Sequence, residues 1–94
     1  MRIKVTNFNA VKRNTLTGFA TVDFAELGFE MQGFGIHQTD TNRWVELPAK
    51  SPANPEKKEP WIKVIEFYDR RKEKHLKKEV LMELDVYLNC DEHE

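Results

Sequence analysis

The chain has 94 residues, of which 33% are charged, and its 15 Lys and Arg against 16 Asp and Glu leave a formal net charge of −1. Leu, Ile, Val and Phe form about a quarter of the residues, more than the ~20% below which highly charged chains do not fold. This composition excludes a polycationic tail and an acidic disordered protein. It predicts one folded domain over residues 1–90, followed by a polar tail at 91–94.

Hydropathy and cysteine content predict a cytoplasmic protein. No apolar run approaches the ~18 residues of a membrane span, and the start of the sequence lacks the apolar core of about 7–15 residues of a signal peptide. The single cysteine, Cys90, has no partner for an internal disulfide, which fits a reducing compartment. We therefore expect no membrane partner.

Residues 1–68 have the pattern of short β-strands separated by turns. Between Leu16 and Phe24, apolar and polar residues alternate, which is typical of a strand with one buried face. A further short strand is expected from Arg43 to Leu47. The predicted turns lie at 12–15, 25–28 and 39–42.

Two positions interrupt the alternation and predict irregularities in the strands. The first lies near Asn7, where the apolar register of the first strand breaks. The second lies between Met31 and Phe34, which are both apolar but would point to opposite faces of a regular strand. Gly33 stands between them, and a β-bulge at that glycine would return both side chains to the apolar face.

The second half of the chain is predicted to contain a loop, a strand and one helix. All four prolines lie between Pro48 and Pro60, and this segment is predicted to be a loop because proline cannot donate a hydrogen bond to a sheet. Residues 61–68 are apolar on both faces and predict a central or covered strand. After Asp69, a residue type that caps helices, apolar residues recur at helical spacing and predict one helix over 70–89.

The order of these elements, strands first and a helix last, predicts an α+β fold. The expected architecture is an antiparallel meander sheet of about five strands followed by one C-terminal amphipathic helix. Leu76, Val80 and Leu84 are spaced to form the apolar stripe of that helix. The stripe would pack on one face of the sheet or be swapped onto a partner.

The sequence contains no arrangement of residues typical of an enzyme. His37 and the other histidines are not paired by spacing with a nucleophile and an acid. Cys90 and His93 supply only two of the three or four ligands that a zinc site needs. No glycine-rich phosphate-binding pattern is present. We therefore expect no catalytic activity, no cofactor, no metal ion and no small-molecule substrate.

Net positive charge is concentrated in two parts of the chain. Residues 1–22 contain four basic residues and no acid, and the proline-rich segment contains Lys50, Lys57 and Lys58. If these two regions are neighbours, they form a basic surface that can replace counterions on a phosphate backbone. The alternative is that these lysines only keep the protein in solution.

Trp44 and Trp61 flank the proline-rich segment and also allow two interpretations. Tryptophan side chains stack on unpaired bases, which is how many proteins hold single strands with little sequence preference. The alternative is that both tryptophans are core residues. The sequence alone leaves both alternatives open.

The chain also resembles a known protein family. Three segments carry the resemblance: Leu16–Val22, then Phe29, Ile36 and His37, then Arg43–Lys50 with the sequence RWVELPAK. In this order they are similar to the stage V sporulation protein G (septation protein) family and to its short bacterial and phage relatives. The resemblance covers about residues 1–88.

The resemblance implies a small homodimeric α+β protein that binds DNA, and also RNA, and acts as a regulator. In that family, basic residues at and just after the P-S/A-K motif contact nucleic acid. Lys50 matches the first of these positions, whereas the following position, basic in typical members, is Ser51. A second resemblance, in architecture alone, is to the transcriptional-coactivator type of single-stranded DNA binder.

We therefore predict a nucleic-acid-binding regulatory protein that acts as a homodimer without a cofactor. The alternative is a protein-interaction or oligomerisation module with no nucleic-acid ligand. The residues expected to contact DNA or RNA are Lys4, Lys12, Arg13, Arg43, Trp44, Lys50, Lys57 and Lys58.

Overall fold

The strands come first along the chain and the helix comes last, which confirms the predicted α+β class. The computed structural model describes residues 2–50 and 62–89. Its elements are β1 (Lys4–Arg13), β2 (Leu16–Phe24), β3 (Phe29–Gln38), β4 (Arg43–Glu46), β5 (Ala49–Lys50), β6 (Ile62–Lys63) and the helix α1 (Arg70–Asn89). The predictions for Trp61, Lys57, Lys58, Cys90 and the tail at 91–94 lie outside the described residues.

The main sheet is an antiparallel meander in the order β1-β2-β3-β4, and β5 and β6 form a separate antiparallel pair. The β1–β2 turn places Asn14 at φ 56°, and the β2–β3 turn places Gly28 at φ 78°. Asparagine and glycine are the residue types that tolerate this left-handed conformation. These two tight turns hold the first three strands in antiparallel register.

Both predicted irregularities are present in the main sheet. In β1 the pairing shifts between Val5 and Asn7, which lie opposite adjacent residues of β2. In β3 the pairing shifts between Met31 and Phe34, and Gly33 within this bulge has φ 93°. Met31 packs against the core and Phe34 is fully buried. The bulge therefore returns both side chains to the apolar face, as the pattern predicted.

The core lies between α1 and one face of the main sheet. Val80 and Leu84 of α1 are buried together with sheet residues that include Phe34 and Ile36. α1 contacts both edge strands of the sheet, β1 and β4, so the sheet curls around the helix. The helix thus packs on the sheet of its own chain.

Asp69 caps the N-terminus of α1, as its position in the sequence predicted. Its carboxylate oxygen Oδ1 accepts hydrogen bonds from the backbone N–H groups of Arg71 at 3.0 Å and Lys72 at 3.3 Å. A helix leaves its first N–H groups without partners inside the helix. The cap satisfies two of them and defines where the helix begins.

The sequence prediction is wrong in the segment between β4 and α1. Ala49–Lys50, predicted as loop, form β5, and the strand predicted over 61–68 is limited in the described residues to Ile62–Lys63. Val64, the next residue after β6, faces Pro48, whose carbonyl oxygen accepts a hydrogen bond from the N–H of Val64 at 3.4 Å. Proline has no N–H with which to continue the ladder. Apolar composition alone therefore did not make a strand here, and Tyr68 is fully exposed.

Gly18 of β2 occupies a position where no side chain fits. A Cβ atom there would lie 2.6 Å from the carbonyl oxygen of Asn9 and 2.6 Å from Cζ of Phe8. The carbonyl belongs to β1, the paired strand, so rotation of a side chain cannot relieve this contact. The close approach of the two strands depends on the glycine.

Replacing Gly18 with alanine is expected to destabilise the fold by about 1–3 kcal/mol, the usual cost of overpacking a filled site. Gly35→Ala is the matched control, because the nearest atoms to a Cβ at that position are 3.6, 3.7 and 3.8 Å away. Urea unfolding followed by circular dichroism measures both variants. Equal midpoints for the two variants would contradict the packing described around Gly18.

Candidate nucleic-acid interface

The main sheet has a second face, turned away from α1. Ile36 of β3 and Val45 of β4 are paired with each other and buried in the core. Because side chains alternate along a strand, the adjacent pair, His37 and Trp44, points to the opposite side of the sheet. We name this side the open face.

Residues that pair across the strands form rows on the open face. The row next to the β1–β2 turn contains Arg13, Leu16, His37 and Trp44. The adjacent row contains Asn9, Phe19, Gly35 and Glu46. A row at the other end of the sheet contains Lys4, Asp23 and Glu30. The open face therefore combines aromatic rings at its centre with cations on β1 and acids at its other borders.

His37 is held by polar contacts on both sides of its ring. Nδ1 is 2.9 Å from Oγ1 of Thr15, and Nε2 is 3.1 Å from Oε1 of Glu46, so each ring nitrogen has a hydrogen-bond partner. The ring lies nearly parallel to that of Trp44, at 6°, with 5.3 Å between the ring centroids. These contacts fix the orientation of both rings on the open face.

The contacts of His37 were missed by the sequence analysis, which found only that no spacing pairs this histidine with a nucleophile and an acid. Its two hydrogen-bond partners are 22 and 9 residues away along the chain, so no local sequence pattern predicts these contacts. Trp44 is half-buried and is not part of the buried core. The one available signal was alternation: if Val45 is a core residue of a strand, Trp44 faces the other side.

A shallow depression lies beside the His37 cluster on the open face. Its volume is about 400 Å³, and it is lined by Asn7, Asn9, Phe19, Thr21, Gln32 and Gly33. Phe19 is 40% exposed. Within the described part of the chain, the lining side-chain amides make no hydrogen bond. The depression therefore presents polar side chains that are available for hydrogen bonds, around an exposed aromatic ring.

Three of the predicted nucleic-acid contacts share one strand. Lys4, Lys12 and Arg13 lie on β1 and are exposed. None of the three has an acidic group within 4.0 Å in residues 2–50 and 62–89. β1 is an edge strand of the main sheet, and we name these three residues the basic edge.

The other predicted contacts do not join the basic edge. Arg43 and Trp44 lie on β4, the opposite edge of the main sheet, and Lys50 follows them in β5. Because adjacent strands are about 4.8 Å apart, β1 and β4 are separated by about 14 Å along the sheet. The described candidate residues thus form two groups, one at each edge.

Arg43 differs from the other candidates because its guanidinium group is already bound. Nη1 and Nη2 donate hydrogen bonds to Oδ1 and Oδ2 of Asp85 on α1, at 2.8 and 2.9 Å. The hydrogen bond from Arg43 holds the pKa of Asp85 below its ordinary value, and the same bond raises the pKa of Arg43. This bidentate pair fastens α1 to β4, which is a structural role for Arg43.

Replacing Asp85 with asparagine is expected to lower the free energy of unfolding at neutral pH by up to about 1 kcal/mol, the upper range for partly exposed ion pairs. Folding lowers the pKa of Asp85. The stabilisation is therefore fully present above the ordinary aspartate pKa of about 3.9 and is lost as the pH falls through the lower, folded-state value.

Urea unfolding of the wild type and Asp85→Asn at neutral and strongly acidic pH measures this effect. The difference in the free energy of unfolding between the two proteins should become smaller at acidic pH. Glu66→Gln is the control, because its contact with Lys63 is exposed and spans 4.0 Å. A stability difference that does not change with pH would show that the ion pair is not its origin.

Residues 2–50 and 62–89 contain no group of three or more His, Cys, Asp or Glu side chains that could hold a metal ion. In the same two ranges, no helix has both the length and the apolar character needed to cross a membrane.

The chain matches no protein-family model, no curated protein and no solved structure. The resemblance to the stage V sporulation protein G family therefore stays a prediction from the sequence.

Proposed function

We propose that the protein binds nucleic acid, DNA or RNA, in single-stranded form and acts as a cytoplasmic regulatory protein, as a homodimer without a cofactor. The observation that carries this proposal is the basic edge. Its cations are exposed and have no acidic partner among the described residues. Such cations can replace counterions on a phosphate backbone, and this exchange supplies most of the affinity of non-specific binding.

The aromatic rings of the open face favour single strands over duplexes. Phe19 is partly exposed, and Trp44 and His37 form a stacked pair in the next row. Aromatic side chains stack on unpaired bases, whereas the bases of a duplex are stacked on each other. Because stacking and phosphate contacts carry little sequence information, we expect weak sequence preference.

The double variant Lys12→Glu/Arg13→Glu is expected to weaken binding of a single-stranded oligonucleotide about tenfold or more, because it turns two phosphate contacts into repulsions. The plot of log Kd against log salt concentration should become shallower by about 1–2, since two counterions fewer are released. Fluorescence anisotropy across a salt series measures both quantities.

Lys74→Glu/Lys78→Glu is the matched control, since it makes the same charge change at exposed positions of α1. An equal loss of affinity in both double variants would show that net charge, and not the basic edge, controls binding. A wild-type protein that binds no oligonucleotide at low salt would overturn the proposal itself.

The lysines of the proline-rich segment supply a separate test. A triple variant with Lys50→Glu, Lys57→Glu and Lys58→Glu reverses the charge of Lys50, which matches the motif of the sporulation family, and of two lysines outside that motif. Loss of binding in this variant alone would show that the phosphate contacts lie in the proline-rich segment and not on the basic edge. Loss of binding in both variants would mean that the two regions contact the nucleic acid together.

The second candidate function, a protein-interaction or oligomerisation module, is favoured by one observation on α1. Met82 and Val86 are 52% and 61% exposed and lie one turn apart. At helical spacing they fall on the side of α1 opposite to Val80 and Leu84, which are buried in the core. Contiguous exposed apolar side chains mark contact surfaces, and we assign the proposed homodimer contact to the surface around this pair.

Replacing Met82 and Val86 with lysine is expected to convert the dimer to a monomer without unfolding it, because both side chains lie outside the core. Sedimentation velocity measures the oligomeric state, and circular dichroism checks the helix. Leu27→Lys is the control, since Leu27 is an exposed apolar residue in the β2–β3 turn. A wild-type protein that remains monomeric at high micromolar concentration would contradict the homodimer.

A further inference from the structure

We infer that the depression on the open face is a subsite for one unpaired nucleobase, which stacks on Phe19 and receives hydrogen bonds from the surrounding amides. This inference rests on the proposed function and adds to it the place where a base, as distinct from a phosphate, is bound. The subsite comprises the lining residues Asn7, Asn9, Phe19, Thr21, Gln32 and Gly33.

The ring of Phe19 is available for stacking. It is 40% exposed, and no aromatic ring of the described residues contacts it. Its cross-strand neighbour on β3 is Gly35, which has no side chain to cover the ring from that side. Every base has a π-face, so an exposed ring in this position accepts any of them.

Polar side chains from three strands surround this ring. Asn7 and Asn9 come from β1, Thr21 from β2 and Gln32 from β3. The three amides have no hydrogen-bond partner among the described residues. Each amide presents one acceptor and donor hydrogens side by side, which complements the adjacent donor and acceptor on the edge of a base.

The chemistry of the lining favours a base over a segment of another protein. None of the six lining residues is charged, and Phe19 is the one large apolar side chain among them. The core of a protein contact surface is more apolar and richer in aromatic side chains than this. A flat ring with polar edges is the ligand that one aromatic side chain and several amides recognise.

The β-bulge in β3 shapes the floor of the subsite. Gly33 has φ 93° in the bulge and, as glycine, leaves the backbone uncovered where it lines the depression. The depression has a volume of about 400 Å³, which leaves room for a single base.

Charges on the open face define a path for the phosphates. Lys4 and Arg13 lie at the two ends of β1, which has 10 residues and so spans about 30 Å. The asparagines of the subsite lie between these two cations on the same strand. Asp23 and Glu30 lie in the same row as Lys4, on β2 and β3, and would repel a phosphate backbone from those two strands, which leaves β1 as its path. A single strand thus runs along β1 and turns one base inward onto Phe19.

The test compares a thymidine oligonucleotide with an abasic deoxyribose phosphate oligomer of equal length, both single-stranded and measured by fluorescence anisotropy at low salt. We expect the wild type to bind the base-containing oligomer about tenfold or more tightly, as stacking of a base predicts. Phe19→Ala should remove this preference and leave the salt dependence unchanged, whereas Phe19→Tyr, which keeps the ring, should retain the preference.

Phe29→Ala is the matched control. Phe29 is 44% exposed but pairs with the buried Phe24 on the side of the sheet that faces α1, so its loss should not change the preference. Urea unfolding checks that each variant is folded. If Phe19→Ala is unfolded, Phe19→Leu replaces it in the test, because leucine keeps the apolar bulk and lacks the ring.

The outcomes separate this inference from the proposed function. Equal affinity of the wild type for both oligomers would overturn the base subsite and leave nucleic-acid binding standing. Binding of neither oligomer would overturn the proposed function. A preference for bases that survives Phe19→Ala would overturn the position of the subsite. If the wild type binds thymidine monophosphate but no oligomer, and Phe19→Ala abolishes that binding, the subsite would be supported. The proposal that a nucleic-acid strand occupies it would be overturned.

Discussion

The packing of α1 against one face of the main sheet is the constraint on which the rest of the structure depends. Val80 and Leu84 close the apolar side of the sheet, and the contacts of α1 with both edge strands curl the sheet around the helix. The apolar side chains on one side of each strand are thereby buried in the core. Residues on the other side of the strands, including Phe19 and the asparagines of β1, lie on the open face, where they are available to a ligand.

The bulge at Gly33 shows how far the composition of a surface depends on one backbone irregularity. Shifting a strand by one residue exchanges its two faces, so without the bulge Met31 and Phe34 would point to opposite sides. The extra residue lets two consecutive residues, Gln32 and Gly33, both line the depression. Core packing and the proposed base subsite therefore share a single structural cause, and a change at Gly33 would alter both.

Features of the fold that depend on neighbours in the sequence were predictable, and features that depend on distant partners were not. The cap at Asp69 and the bulge at Gly33 follow from local patterns, and so does the concentration of cations on β1. The ion pair of Arg43 with Asp85 joins residues 42 apart, and no local pattern encodes it. The depression likewise needs side chains from three strands. The strand predicted over 61–68 was wrong beyond its start because pairing requires a partner strand, and hydropathy does not indicate its length.

The irregularities of β1 have a consequence for association between copies of the chain. An edge strand of 10 residues presents unpaired backbone groups that invite strand addition and aggregation. Register shifts between Val5 and Asn7 and between Ala10 and Arg13 interrupt the regular ladder of this strand, and its cations repel the same edge of a second copy. The proposed dimer would therefore form through another surface, and each protomer would keep its basic edge accessible to solvent.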